Sequence, residues 1–517
     1  MMKSHGITFQ LLVRHVAPTL FLTILVLWMD PGVRAQNTTM SDGVIVEIDA
    51  AAPSHPFPHF WEQMFGSGRA ILSLRESYRH DLRETKRITD LEFIRFHAIF
   101  HDEVGLYDED KAGKPGYNFS YVDQIYDGLL ENKVRPFIEL SFMPEKLTSD
   151  PNAKHAFWYK QNVAPPKDWG KWEQLVETFT RHLVARYGED EVAQWYFEVW
   201  NEPNLDFWVG NPKDTTYYDL YDHAARAVKR VSSRLRVGGP ATAQAAWADK
   251  FLAHCKEKNV PVDFVSTHVY GNDSVQDVFG TQEKISRNEM VCRAVKKVHQ
   301  QIAASAYPNM PLIWSEYNAA YDNHPAVTDS AYMGPYLANT IRECDGLTTM
   351  MSYWTFSDVF EEQGVVKTPF YGGFGLLAED SIPKATFNDF ALLHRLGDTR
   401  LDAKSDSVLV TRRKDGTLAV AAWNLFLPEE AGSPKSLTLH FLGTKAAKVR
   451  VTIVDKEHGS PLPAYEKMGS PQFPTGQQIE TLRKAAAMPS AQEQTLKNGE
   501  LKLTLQPHSL ALIEVTN

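Results

Sequence analysis

Two glutamates at the ends of short apolar runs carry the chemistry that this sequence suggests first. Glu202 directly follows the run 194–201, and Glu316 lies near the end of the run 310–317. If both runs are parallel strands of one barrel, their carboxyl ends meet at one rim and the two side chains face each other. Hydrolysis of a glycosidic bond needs such a pair, with one group protonated to donate to the leaving oxygen and one ionised to attack or to activate water.

Aromatic neighbours strengthen this interpretation. Trp200 precedes Glu202 by two residues, and Trp314 stands in the same position before Glu316. Sugars stack their apolar faces on aromatic rings, so we expect both tryptophans near the pocket. A single glutamate in such a place is usually a solvated surface group, but the same context occurs twice here.

Other polar residues fall at the tips of further predicted strands. The alternation of side chains along a strand places Arg95 and His97 on one face, as it does Glu198, Trp200 and Glu202. We expect Arg95, Glu139 and Glu198 to form an ion-paired layer beneath the site, with a structural role. The remaining candidates are His268, Tyr270 and Trp354.

The elements that position these residues follow a repeating strand and helix pattern between residues 57 and 393. Such alternation predicts parallel strands joined by crossover helices. The predicted strands are 57–65, 91–100, 134–142, 194–201, 235–240, 262–270, 310–317 and 349–356, and the clearest helices are 121–131, 169–187, 216–233, 283–304 and 327–343. Eight strands favour a (β/α)8 TIM barrel over an open sheet, and no GxGxxG motif follows the first strand as a dinucleotide-binding fold requires.

The character of the chain changes after residue 397. Short β-rich runs at 407–411, 418–424, 436–441, 448–455 and 501–515 predict a β-sandwich, interrupted at 459–494 by a long excursion with a helix near 479–487. The early run 44–48 is expected to add a strand to this sandwich. The predicted organisation is therefore a leader at 1–35, a segment joining the sandwich at 36–55, the catalytic barrel at 56–397 and the accessory sandwich at 398–517.

The leader has the features of a signal peptide. Lys3 and Arg14 precede an apolar run at 19–29, and Val33-Arg34-Ala35 offers a small residue before a cleavage point. This run is too short for a membrane-spanning helix, which needs roughly 18 or more apolar residues. We expect cleavage after Ala35 and a secreted or periplasmic protein, with an uncleaved anchor as the alternative.

Composition excludes several other functional classes. The formal net charge is −10, and the sequence contains no basic block that would indicate a nucleic-acid partner. Three scattered cysteines are too few for a disulfide framework, and their odd number leaves at least one unpaired. We therefore expect the cysteines to be buried and to pack as small hydrophobic residues. No HExxH motif or paired-cysteine spacing predicts a metal, and we expect no cofactor.

The segment Phe197-Glu198-Val199-Trp200-Asn201-Glu202-Pro203-Asn204-Leu205 resembles the acid/base signature of glycoside hydrolase family 39, which contains β-xylosidases and α-L-iduronidases. Further segments resemble its β-xylosidase branch, namely Arg95-Phe96-His97, Glu139 to Pro144, Val237 to Ala241, Ser266 to Tyr270 and Ser352 to Asp358. The resemblance runs from about residue 44 to the carboxyl terminus.

This resemblance implies a retaining enzyme with Glu202 as acid/base and Glu316 as nucleophile, their carboxyl groups about 5 to 5.5 Å apart. It also implies sugar-binding roles for His97, Asn201, His268, Tyr270 and a carboxylate at Glu361, beside which stands Glu362. Asn201 is expected to bind the sugar 2-hydroxyl. Trp354 is expected to complete the binding site.

The sequence leaves several alternatives open. We expect a carbohydrate partner, a β-xyloside or xylo-oligosaccharide, because the strand tips offer few cations for a uronate. Rival sugar specificities are those of an α-L-iduronidase, an α-L-arabinosidase or a barrel β-glucosidase. A carbohydrate-binding protein without catalysis is the alternative from another class, and whether the chain forms a homo-oligomer is not determined.

Overall fold

A computed structural model describes residues 43–443 and 447–516. The predicted signal peptide and its cleavage point lie outside these residues. The described part begins in the sandwich, with strands β1 (Val44–Asp49) and β2 (Ser54–Pro56). Within these residues, none of the helices combines the length and the apolar character that a bilayer span requires.

Eight parallel strands then close into a barrel, as the sequence predicted. Each barrel strand pairs in parallel with its neighbours, and the last returns to pair with the first. The strands of this region are β3 (Met64–Gly66), β4 (Phe93–Phe96), a hairpin of β5 (Tyr107–Glu109) and β6 (Pro115–Tyr117) outside the barrel, and then β7 (Arg135–Leu140), β8 (Tyr196–Val199), β9 (Arg236–Thr242), β10 (Phe264–Tyr270), β11 (Leu312–Asn318) and β12 (Met350–Tyr353).

Helices surround the barrel and cover its apolar outer face. They are α1 (Glu76–Ile88), α2 (Ser120–Glu131), α3 (Trp169–Tyr187), α4 (Glu189–Val192), α5 (Lys213–Val231), α6 (Ala248–Lys258), α7 (Val275–Phe279), α8 (Arg287–Ala303), α9 (Pro325–Thr328), α10 (Met333–Cys344) and α11 (Ala385–Leu393). In α3, the Asp168 side chain caps the first turn by accepting from the Lys171 amide at 3.1 Å. Residues of one face of α3, including Trp172, Leu175 and Phe179, are buried against the core.

The carboxyl-terminal region is β-rich, also as predicted. A short hairpin of β13 (Leu377–Ala378) and β14 (Ile382–Pro383) precedes it, followed by β15 (Thr399–Leu401), β16 (Val408–Arg412), β17 (Leu418–Asn424), β18 (Lys435–Leu442), β19 (Lys448–Val454), β20 (Gln492–Thr495), β21 (Glu500–Leu505) and β22 (Ser509–Thr516). Strands β15 to β22, together with β1 and β2, form a sheet β2-β15-β16-β17-β22-β19-β20 and a sheet β1-β18-β21. Buried Leu437, Leu439 and Phe441 alternate with less buried residues along β18, as in a sheet with one face on the core.

Three details of the sandwich sequence can now be compared with the structure. The early strand β1 pairs with β18 along its whole length, in the sheet β1-β18-β21. The predicted run 501–515 was wrong as a single strand, because Pro507 and the left-handed His508 (φ 61°) separate β21 from β22. The excursion holds two helices, α12 (Leu462–Lys467) and α13 (Gly476–Ala485), the second of which overlaps the predicted helix.

Candidate active site

A cavity of about 610 Å³ opens where the barrel strands end, and both predicted catalytic glutamates line it. Glu202 follows β8, and Glu316 lies on β11. One oxygen of each carboxyl group and a ring nitrogen of His268 all lie within 4.8 Å of one another. This separation suits a retaining glycosidase, whose carboxyl groups are about 5 to 5.5 Å apart, better than an inverting one, in which about 6.5 to 9.5 Å leaves room for a water.

Glu202 is held where its neutral form is favoured. The side chain is largely buried, its Oε1 lies 3.0 Å from Nδ1 of His268, and its backbone amide donates to the Ala241 carbonyl at 2.7 Å. Burial first, and then the negative charges of Glu316 and Asp273, raise the pKa of Glu202 well above its usual value. Glu202 therefore retains its proton at a pH where an exposed glutamate has lost it, as a general acid requires.

Two hydrogen-bond donors hold the carboxylate of Glu316. Oε1 accepts from Nη1 of Arg95 at 2.6 Å, and Oε2 accepts from the Tyr270 hydroxyl at 2.6 Å. Burial and then the charge of Glu316 raise the pKa of Tyr270 well above its usual value, so the phenol stays a neutral donor. Two glutamates in one cavity thus have different environments, one suited to an acid and one to a nucleophile.

Arg95 forms the ion-paired layer that the sequence predicted. The fully buried guanidinium contacts Glu198 at 2.6 Å and Glu139 at 2.7 Å as well as Glu316, and it donates to Oδ1 of Asn201 at 2.9 Å. Because Asn201 offers its oxygen to Arg95, its NH2 group remains to donate toward the cavity that it lines. One cation thereby compensates the buried carboxylates and orients a predicted sugar-binding amide.

His97, Tyr270 and Trp354 line the cavity, as Asn201 does. Nδ1 of His97 lies 2.7 Å from Glu139, and the His97 ring packs at 4.9 Å from the Trp354 ring. Burial opposes protonation of His97, but the charge of Glu139 and the hydrogen bond to it outweigh burial and raise the pKa of His97. Trp354 lies against Gly66, where a Cβ atom would overlap its ring.

The structure corrects the predicted role of His268. This residue is wholly buried and does not line the cavity, and its nitrogens face Oε1 of Glu202 at 3.0 Å and Oγ of Ser315 at 3.1 Å. Burial and the charge of Arg95 lower the pKa of His268 well below its usual value, so the ring is neutral. His268 therefore lies behind the cavity wall, where it contacts Glu202.

The structure also corrects the assignment of Glu361. Its carboxylate accepts from Arg75 at 2.6 Å and from Arg69 at 3.0 Å, outside the cavity. The adjacent Glu362 lines the cavity instead, 3.8 Å from Nε2 of His97. Burial, opposed by the charge of His97, raises the pKa of Glu362 to about 8.

The two tryptophans beside the glutamates lie behind the cavity wall, contrary to the expectation that sugars stack on them. Trp200 and Trp314 are fully buried and neither lines the cavity. Trp200 has a left-handed backbone (φ 71°), which ends the strand alternation, and its Nε1 donates to the Phe207 carbonyl at 2.8 Å. The aromatic wall is formed instead by Tyr270, Trp354, Phe360 and Phe374.

Asp273 is a cavity residue that the sequence reasoning missed. It follows β10 by three residues and accepts from the Tyr270 amide at 2.7 Å. Burial raises the pKa of Asp273 to about 6. Its position just beyond the end of a predicted strand could have indicated that it lies at the cavity.

Among residues 43–443 and 447–516, two clusters have enough donors to hold a metal ion. Glu202, His268 and Glu316 form one, and His59, Glu62, Asp90 and His394 form the other, at the amino ends of the barrel strands. Metal ligands must be deprotonated, which the raised pKa of Glu202 disfavours in the first cluster. In the second cluster, both carboxylate oxygens of Glu62 are hydrogen-bonded, one to the ring of His59 and one to the ring of His394.

Comparison with known proteins extends these observations. A family model described as "Glycosyl hydrolases family 39" matches residues 44–501. A β-xylosidase of Geobacillus stearothermophilus is 38% identical over 472 residues, covering 89% of this chain and 93% of that protein. The crystal structure of a monomeric β-xylosidase from Caulobacter crescentus CB15 has a TM-score of 0.83 at 35% identity, covering 91% of this chain and 99% of its own. An α-L-iduronidase of Mus musculus is 28% identical over 44% of this chain and 38% of its own length.

Proposed function

Because the chain belongs to glycosyl hydrolase family 39, we propose that it is a retaining β-xylosidase that releases xylose from β-xylosides or xylo-oligosaccharides. The observation that carries this proposal is the close pair of carboxyl groups of Glu202 and Glu316 in different electrostatic environments. The β-xylosidase of Geobacillus stearothermophilus is 38% identical over 89% of this chain, whereas α-L-iduronidases are 28% identical over 44% of it or 22% identical over 84% of it.

The first step transfers the sugar to the protein. An oxygen of Glu316 attacks the anomeric carbon while Glu202 donates its proton to the glycosidic oxygen, and the bond to the leaving group breaks. The product is a covalent ester between the sugar and Glu316. Arg95 and Tyr270 keep the carboxylate oriented for this attack through their two hydrogen bonds.

The second step reverses the first with water. Glu202, now ionised, takes a proton from a water molecule, which attacks the anomeric carbon and expels Glu316. Two inversions retain the anomeric configuration. We assign the NH2 group of Asn201 to the sugar 2-hydroxyl, where a hydrogen bond strengthens in the transition state.

The charges in the cavity favour a neutral sugar over a uronate. Lining carboxyl groups include Glu202, Glu316, Glu362 and Asp273, whereas Lys367 is the single lysine or arginine among the described residues that line it, and it is exposed. Arg95 is already engaged by three carboxylates. A uronate carboxylate would therefore enter without a buried cationic partner, which is costly.

A panel of aryl glycosides tests the specificity. We expect kcat/KM to be highest for an aryl β-D-xyloside, compared with the β-D-glucoside, the α-L-arabinoside and the α-L-iduronide. NMR of the first product tests the stereochemistry, and we expect the β-anomer of xylose. A preference for the iduronide would overturn the specificity, and the α-anomer as first product would exclude double displacement.

The variant Glu316→Ala, purified in parallel, separates the enzyme from a binding protein. We expect it to lose activity by orders of magnitude while its thermal unfolding midpoint stays near that of the wild type. If wild type and variant bound the xyloside equally and neither turned it over, the chain would be a carbohydrate-binding protein.

We also propose that the protein is exported after cleavage behind Ala35. The support is the basic start, the short apolar run and the small residue Ala35 before the cleavage point. Amino-terminal sequencing of the protein from the culture medium or periplasm should begin at Gln36. An amino terminus at Met1 in the membrane fraction would indicate an anchor instead.

A further inference from the structure

Two of the three cysteines meet in the core, which their scattered positions in the sequence did not indicate. Cys292 lies on α8 and Cys344 is the last residue of α10. Their sulfur atoms are 2.7 Å apart, and both residues are buried. Cys255, the third cysteine, lies on α6 and is also buried.

We propose that Cys292 and Cys344 form a disulfide bond in the mature protein. A disulfide requires that the two side chains point toward each other from backbones already at the right separation, because displacing packed helices is costly. Here α8 and α10 pack against each other and bring the two sulfur atoms together without such a displacement. The proposal does not depend on the sugar that the enzyme cleaves.

The bond would enclose the segment that carries the nucleophile. Residues 293–343 include β11 with Glu316 and the helix α9, between the two linked helices. A cross-link between residues 52 positions apart restricts the unfolded chain, and this restriction stabilises the folded form. The two helices that cover β11 would then remain joined when the surrounding structure loosens.

The structure indicates the order in which the thiols react. Cys292 borders a groove of about 650 Å³ between α8, α10 and the sandwich, whereas Cys344 does not line this groove and is fully buried. Burial raises the pKa of the Cys344 thiol well above its usual value, which makes it a poor first nucleophile. Cys292 is therefore the residue that meets an external oxidant.

The chemistry is thiol–disulfide exchange with a small-molecule disulfide or an oxidised dithiol protein. The Cys292 thiolate attacks the external disulfide, forms a mixed disulfide and releases one thiol. The Cys344 thiolate then attacks the sulfur of Cys292 and releases the second thiol. The protein loses two protons and two electrons, and the external disulfide is reduced to two thiols. Such oxidants are available in the compartments that we propose for this protein.

Counting thiols in the full-length protein tests the proposal directly. The protein is incubated with oxidised glutathione, denatured, alkylated without reductant and measured by mass spectrometry. We expect one alkylated cysteine, Cys255, and three after prior reduction, with peptide mapping that links Cys292 to Cys344. Three alkylated cysteines in the unreduced sample, or a dimer linked through Cys292, would overturn the proposal.

Cys255→Ser is the matched control. This variant should show no alkylated cysteine without reduction and two after it. Oxidised wild-type protein should unfold about 5 °C above the reduced form, and the double variant Cys292→Ala/Cys344→Ala should lose this difference. Equal midpoints for the oxidised and reduced wild type would refute the stabilising effect of the link.

Discussion

Replacing Tyr270 by phenylalanine should slow the second half of the reaction more than the first. The Tyr270 hydroxyl donates to Oε2 of Glu316 at 2.6 Å, and both residues are largely buried. Before the first step this hydrogen bond stabilises the ionised nucleophile. In the second step Glu316 is the leaving group, and the same donor stabilises the negative charge that returns to it.

The size of the effect follows from the type of hydrogen bond. A hydrogen bond to a charged group contributes about 1.5 to 3 kcal/mol. If about half of the charge has returned in the transition state, Tyr270→Phe raises the barrier by about 0.75 to 1.5 kcal/mol, which slows hydrolysis of the covalent intermediate about 4- to 13-fold. The intermediate then accumulates, so KM falls together with kcat, and kcat/KM changes less than kcat.

Pre-steady-state kinetics on an activated aryl β-D-xyloside measures this directly. We expect a burst of aryl alcohol close to one equivalent of enzyme, and intact mass spectrometry should detect the xylosyl-enzyme. Tyr317→Phe is the matched control, because Tyr317 neighbours Glu316 on β11 and its buried hydroxyl has no hydrogen-bond partner among the described residues. A kcat within about twofold of wild type for Tyr270→Phe, or an equal loss in Tyr317→Phe, would refute the reasoning.

Three further predictions concern the acid, the pH profile and the sandwich. Glu202→Gln should lower kcat/KM by about 10²- to 10⁴-fold for poor leaving groups and much less for activated aryl groups; an equal loss across a leaving-group series would contradict the acid role. Activity should fall on the alkaline side of the kcat/KM profile as Glu202 loses its proton. Asp273→Asn removes a negative charge that raises the pKa of Glu202, so it should shift this alkaline limb to lower pH. An alkaline limb that does not move would argue against the electrostatic coupling between Asp273 and Glu202. Truncation after Asp398 should give insoluble or unstable protein in expression trials, and a soluble, fully active product would show that the sandwich does not support the barrel.

The barrel could be predicted because its strands are buried on both faces and mostly apolar, so they stand out as short runs between amphipathic helices. Helix α1 was missed for the opposite reason. Its buried positions include the polar Asp81 and Thr85 beside Tyr78 and Leu82, so its apolar stripe is interrupted. Asp81 is buried because Ser357 and Ser381 donate to it at 2.5 and 2.6 Å, and no local pattern indicates those partners.

The orientation of a site residue could be predicted where the chain forms a regular strand, and it could not be predicted where the strand is irregular or has ended. Glu316 lies within β11, whereas left-handed Trp200 and Glu202 follow β8 and turn the tryptophan away from the cavity. A register shift between Thr267 and His268 in β10 changes which residues face inward. Glu361 and Glu362 lie beyond the last barrel strand, where the ion pairs of Glu361 with Arg69 and Arg75 leave Glu362 as the carboxylate that lines the cavity.

The pairing of β1 with β18 determines the order in which this protein can fold as it is synthesised. Val44 lies opposite Leu437, so the first sandwich strand leaves the ribosome about 390 residues before its partner. Until then Val46 and Ile48, buried in the finished protein, have no sheet to cover them. The whole barrel emerges during this interval, and the sandwich closes last around a strand made first. A ribosome stalled within the barrel would leave β1 as an unpaired apolar edge for chaperones or proteases to recognise.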